Sequence, residues 1–122
     1  MRDSVAPLRI VLSPEARSDI REAARWGRER FGDRAVRRYR VLMEQAFRDI
    51  AADPELAGSR ARPEFAAGTR TYHLAFSRGR AGSELGIVKT PRHFVVYRPQ
   101  SARSIVVVRV LHDSSELDLH VK

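Results

Sequence analysis

Two runs of β-branched and aromatic residues near the end of the chain, Phe94-Val95-Val96-Tyr97 and Ile105-Val106-Val107-Val108, constrain the fold more than any other feature. Such side chains suit a pleated, packed surface. A short polar connector, Arg98 to Ser104, joins the runs, and its Pro99 has no amide to give to a ladder. The unit from His93 to Asp113 therefore reads as a β-hairpin. It closes on Arg109-Val110-Leu111-His112, which puts a guanidinium and an imidazole at the exit of a buried strand.

Upstream, Leu8-Arg9-Ile10-Val11-Leu12 reads as a short strand with Leu8, Ile10 and Leu12 on one face. Ser13-Pro14-Glu15 then starts a helix, with a hydroxyl cap, a proline suited to the first turn and an acid at the positive dipole end. Ala16, Ile20, Ala23, Ala24, Gly27 and Phe31 form its apolar stripe. Gly32 stops it, and Asp33 caps a second helix to about Ala52 with Val36, Tyr39, Met43, Ala46, Phe47 and Ile50 facing inward. So short a connection predicts an antiparallel helical hairpin. Pro54 to Gly68 reads as a polar loop and Thr69 to Phe76 as an alternating strand. Ser77 to Pro91 reads as a long loop or, through Leu85-Gly86-Ile87-Val88, as an extension of the hairpin. The order is β-α-α-β-β-β, an α+β fold with the helical hairpin packed on a small, mainly antiparallel sheet. Neither layer can bury its apolar side alone.

A chain of 122 residues is expected to form one domain, with a core over about 8–113 and a polar tail over 114–122. Without cysteine it has neither a disulfide framework nor a thiolate zinc site, which fits the cytoplasm. No segment is apolar for long enough to span a membrane, and the N-terminus carries no secretion-signal pattern. The four histidines, His73, His93, His112 and His120, show no metal-ligand spacing, and no cofactor motif is present, so neither a metal nor a cofactor is expected. The net charge is +8, and Lys89 and Lys122 are the only lysines among 23 basic residues. That balance favours acidic partners.

The basic groups supply the candidate chemistry. Arg70 and Arg109 fall on strands, with Arg60 and Arg62 on the preceding loop. Paired in a meander they can line the uncovered sheet face and hold phosphates through bidentate hydrogen bonds. His112 beside them can move a proton near neutral pH. Against catalysis, RNA cleavage without a metal needs a base, an acid and a cationic clamp. The residues after His112, Asp113-Ser114-Ser115-Glu116, add two carboxylates and no further proton-transfer group. The structural alternative pairs Arg109 with Glu64 or Glu116 and leaves His112 as a strand-end hydrogen-bonding residue. Trp26 lies off the apolar stripe of the first helix, which makes it a candidate interface anchor.

The element order, the helix start LSPEARSDI, the stretch DPELAGSRARPEFAAGTR and above all VVYRP followed by VVVRVLHDSSELD resemble the ParE/RelE superfamily of type II toxin–antitoxin toxins, closer to ParE. The resemblance spans about Leu8 to Asp118. It implies a growth-arresting toxin that inhibits DNA gyrase without hydrolytic chemistry and is neutralised by a ParD-like antitoxin. The RelE branch implies instead a ribosome-dependent mRNA interferase, for which Arg70, Arg109 and His112 match by position. The antitoxin surface is expected at Trp26, Arg25, Arg37, Arg38 and Tyr97, and the target surface at Arg60, Arg62, Arg109 and His112. His112-Asp113-Ser114-Ser115-Glu116 replaces the arginine-bearing tail common in ParE, and the Ser77 to Pro91 segment departs from the family pattern.

Overall fold

The computed structural model describes residues 6–82 and 84–114. The elements follow in the order β1 (Arg9–Leu12), α1 (Pro14–Phe31), α2 (Asp33–Ala52), β2 (Arg60–Ala61), β3 (Arg70–His73), a 3-10 helix (Leu74–Arg80), β4 (His93–Ser101) and β5 (Ser104–His112). The fold is α+β, as expected. The strands form one sheet in the order β1-β5-β4-β3-β2. β1 runs parallel to β5, and the other pairings are antiparallel.

Several details differ from the sequence reading. The strand expected over Thr69 to Phe76 ends at His73, whose Nδ1 accepts a hydrogen bond from Ala75 N at 3.1 Å and caps the 3-10 helix. The loop after α2 contributes a short edge strand, β2, opposite β3. Leu85 to Val88 does not pair with the sheet, and the hairpin turn is shorter than expected because β4 continues through Pro99 to Ser101. Pro99 is tolerated there because β3 begins with Arg70 opposite Tyr97, so the proline has no partner on that side and pairs only with Ile105 of β5.

Local chemistry explains the helix ends. Ser13 Oγ accepts from Ala16 N at 2.9 Å, caps α1, and donates to Val108 O at 2.7 Å. Gly32 takes φ +90°, a value other residues avoid, and its amide closes α1 on Arg28 O before α2 begins. Leu42, Met43, Ala46 and Ile50 of α2 pack on Tyr72, Val95, Tyr97, Ile105, Val107 and Val110 of the sheet. In α1 the one fully buried position is Ala16. Phe31, expected on the inner stripe, is 67% exposed because it ends α1 and packs edge-on against Trp26 instead.

The contact between α1 and β5 replaces a missing strand. β1 pairs with β5 only from Ser104 to Val107. Beyond that point Ser13 serves Val107 and Val108. Asp19 on α1 then accepts from Val110 N at 2.9 Å and from Arg109 Nε and Nη2 at 2.8 and 2.9 Å. The acid thus satisfies an edge amide and a guanidinium together, where an unmet donor would be costly.

Replacing Asp19 by Ala should lower the unfolding free energy by ~2–3 kcal/mol, because a part-buried arginine and an amide lose their acceptor together. Asp19→Asn should cost less, since its amide oxygen still accepts from Val110. The exposed Arg28–Asp33 pair provides the control: Asp33→Ala should cost at most about 1 kcal/mol. Urea denaturation of the variants measures these differences.

Candidate functional site

The ends of β3, β4 and β5 bring three imidazoles together. His93 stands opposite His112 in the β4–β5 ladder, and His73 stands opposite Phe94 in the β3–β4 ladder. The His93 and His112 rings meet edge to face at 5.4 Å, and His73 meets Phe94 in the same way at 4.9 Å. Tyr39 reaches in from α2, and Arg92 and Asp113 close the cluster.

Hydrogen bonds tie the cluster together. Tyr39 Oη accepts from Arg92 N at 2.9 Å and shares a hydrogen bond of 2.7 Å with His93 Nδ1. His73 Nδ1 accepts from Ala75 N, so Nε2 carries the proton and donates to Asp113 Oδ2 at 2.9 Å. Asp113 Oδ1 accepts from Arg92 Nε at 2.9 Å, and Asp113 N donates to Arg92 O. His112 Nδ1 accepts from Ser114 N at 3.2 Å.

Burial dominates the electrostatics. It pushes the Tyr39 hydroxyl up to about 12. It lowers His93 to about 4, helped by the neighbouring His112. Burial alone would raise the Asp113 carboxyl, but hydrogen bonds from His73 and Arg92 together outweigh it and hold the group below the usual carboxylate range. At neutral pH His93 is therefore uncharged and Tyr39 keeps its proton. The His112 side chain is 38% exposed, against 17% for that of His73.

The residues expected to form a phosphate-holding cluster are spread over the sheet. Arg70 stands opposite Tyr97 and donates to Ser59 Oγ at 3.2 and 2.9 Å. His112 stands opposite His93, four residues away along β4, which is about 13 Å. Arg109 is three residues from His112 and so projects from the other face. Its carboxylate partner is Asp19 rather than Glu64, and Glu116 lies outside the described residues. Arg60 lies on the edge strand, and Arg62 donates to Glu64 at 2.7 Å with its guanidinium over the Phe65 ring.

Among the expected antitoxin contacts, Tyr97 is a core residue. It is 1% exposed, and its hydroxyl donates to Pro54 O at 2.6 Å, because β4 passes beneath the end of α2. Arg38 is turned inward and donates from Nε to Leu85 O at 2.7 Å. Arg37 is exposed, and Arg25 pairs with Glu22 one turn earlier. Trp26 is 51% exposed, edge-packed on Phe31, with the Arg30 guanidinium 4.7 Å from its ring centre.

Tyr39, His73, Arg92 and Asp113 were not singled out as a group by the sequence. The available signal was positional: His73 and His112 end strands and His93 begins one, so a meander can bring them to one edge. Metal-ligand spacing tests a different arrangement. Among the described residues, no group of three or more His, Asp or Glu side chains is placed to hold a metal ion.

The model of the ParE toxin family, the toxin of the parDE type II toxin–antitoxin system, matches residues 10–117. The chain belongs to that family. Among solved structures, a chain in the crystal structure of the toxin–antitoxin complex RelBE2 from Mycobacterium tuberculosis is similar, with a TM-score of 0.53 and 20% identity. The match covers 91% of this chain and 97% of that one. A comparison with curated protein sequences returns no match. The fold and the family together make this chain a toxin of a type II toxin–antitoxin system.

The His93 environment predicts an acid-sensitive fold. The folded state holds His93 near 4, against an ordinary 6.5, so between those values the unfolded chain binds the extra proton. Stability is fully present above pH 6.5 and falls as the pH drops toward 4, by roughly 1–3 kcal/mol. Asp113 adds loss only at lower pH, in the carboxylate range. His93→Asn keeps an acceptor near Tyr39 and removes the titration, so its unfolding free energy should change less across this window. Denaturation at a series of pH values reads the difference.

Proposed function

We propose that this toxin arrests growth in the cytoplasm by binding DNA gyrase rather than by cutting RNA, and that a ParD-like antitoxin neutralises it. The observation that carries this reading is the separation of Arg70, Arg109 and His112. Arg70 is held by Ser59, Arg109 by Asp19, and Arg109 and His112 project from opposite faces of β5. Phosphodiester cleavage needs its acid, base and clamp around one phosphate. Family membership supports the antitoxin partner, and the exposed Trp26–Phe31 pair beside Arg25 and Arg30 supports a protein-binding role for the helical hairpin. Arg60 and Arg62 lie toward the sheet edge, where they are candidates for contact with the target.

Purified toxin should block gyrase supercoiling in proportion to its concentration and leave ribosome-bound transcripts intact. Uninhibited supercoiling at excess toxin would remove the gyrase assignment.

One observation favours the interferase reading. His112 is partly exposed, and its Nδ1 stands 3.8 Å from the Asp113 carboxylate that Arg92 binds, placing an imidazole near a guanidinium. If that reading holds, transcripts are cleaved on the ribosome, and His112→Ala should slow cleavage about 100-fold or more, the usual contribution of a positioned proton-transfer group. Cleavage unchanged in that variant would exclude a role for His112.

A further inference from the structure

The sheet is longer than the helix that covers it. α2 ends at Ala52, and the Asp53-Pro54 step turns the chain away. Tyr97 donates to Pro54 O at 2.6 Å and marks where the helical layer stops. Past that point β4 and β5 continue, with Pro99 opposite Ile105. Arg70 stands opposite Tyr97 in the neighbouring ladder, so it shares this uncovered stretch of the sheet face. A recess of about 220 Å³ opens there, between the sheet, the start of the loop after α2 and the β2 edge.

Arg70 brings an unmatched charge into the recess. Ser59 Oγ takes its Nε and one Nη2 hydrogen, at 3.2 and 2.9 Å. A guanidinium has five N–H groups in a fixed plane, so the edge formed by Nη1 and the second Nη2 hydrogen is left over. Among the described residues no carboxylate pairs with Arg70, and its Nη1 has no acceptor. Arg109, by contrast, is held by Asp19. Burial pushes the Tyr97 hydroxyl up, and Ser59 and the Arg70 guanidinium beside it counter that push. Thr69 is also in the wall and is 4% exposed. Among the described residues its hydroxyl has no hydrogen-bond partner. Buried hydroxyls are ordinarily paired, so two sets of polar hydrogens in one recess await an acceptor.

Charge and shape select that acceptor. The free edge of the Arg70 fork presents parallel N–H groups that suit the two oxygens of a carboxylate. Pro54, Pro99, Ile105 and the Tyr97 ring supply apolar wall. One water occupies ~30 Å³, so the recess has room for a short branched chain behind the carboxylate. Glu55 also lines it, beside the negative end of α2. A phosphate dianion would meet one cation and an acid, whereas a monoanion is matched by Arg70 alone.

We infer that the recess at Arg70 binds a monocarboxylate with a small apolar body, its oxygens on the free edge of the guanidinium and its carbons against Pro54, Pro99 and Ile105. A free short-chain acid and the carboxyl terminus of a polypeptide share this chemistry. The site is separate from the gyrase and antitoxin readings, and its failure leaves them untouched.

Isovalerate and N-acetyl-leucine are the probes, titrated into the full-length protein while NMR follows the amides of Ala61, Gly68 and Thr69. At least one should bind with a Kd of ~1 mM, a value in keeping with so few atoms. Isovalerate binding alone assigns the recess to free acids, and N-acetyl-leucine binding as well or better assigns it to chain termini. Isovaleramide, which has the shape without the charge, and inorganic phosphate should each bind about tenfold more weakly or less. Arg70→Gln should weaken binding about tenfold or more by removing the cation. Ala61→Leu should do the same by filling the recess, because Ala61 stands opposite Arg70 and shares its face. Arg34→Gln, exposed at the other end of α2, should bind as wild type does. Thermal unfolding checks each variant, and Ala61 is exposed, so Ala61→Leu carries the test if Arg70→Gln misfolds. No amide shift with either probe at ~50 mM, where a ~1 mM site is saturated, would overturn the assignment. So would isovaleramide binding as well as isovalerate, tighter binding of phosphate, or wild-type affinity in a folded Ala61→Leu variant.

Discussion

The rest of the structure depends on the carboxylate of Asp19. β1 is short and leaves the outer edge of β5 open after Val107. Asp19 covers that edge from the side of a helix, taking the Val110 amide and both nitrogens of the Arg109 fork. One side chain thereby docks α1 on the sheet, neutralises a part-buried guanidinium and closes an edge that could otherwise pair with another chain. It is also why Arg109, a natural candidate for phosphate binding, is committed to the fold. A guanidinium already gripped by a bidentate acid has little left to offer a phosphodiester.

The strand ends show the same economy. Tyr39 links α2 to β4 through His93, and Asp113, just after β5, binds His73 of β3 and, directly, Arg92. Between β3 and β4 the chain also meets α2, at Asp49 through Arg80 and at Arg38 through Leu85 O. These groups tie the ends of β3, β4 and β5 to one another and to α2. Surfaces left for other molecules include the outside of the helical hairpin and the edge strand that carries Arg60.

Much of the fold was legible because it follows from local chemistry. Ser13-Pro14-Glu15 and Gly32 placed both helices, and the branched runs placed β4 and β5; Asp33, expected to cap α2, is instead its first helical residue, with Gly32 at the cap position. What escaped depends on tertiary partners. The alternation through Leu74 and Phe76 pointed to a strand, yet His73 capped a 3-10 turn once β4 fixed its position. Phe31 matched the inner stripe, but the sheet does not reach the end of α1. The partner of Arg109 is 90 residues away in sequence, and no spacing rule connects Asp19 to it. For the site, Trp26 could be recognised as exposed from its place off the stripe, whereas Tyr97 looked like a surface aromatic until the packing of β4 under α2 buried it.

The central claim is that this toxin acts by binding, with its conspicuous basic groups used for structure and recognition. The most direct test is growth arrest by an inducible Arg70→Gln/His112→Ala double variant expressed without antitoxin, with its folding confirmed by thermal unfolding. The account predicts arrest as rapid as with the wild-type chain. A well-folded double variant that no longer arrests growth would contradict it.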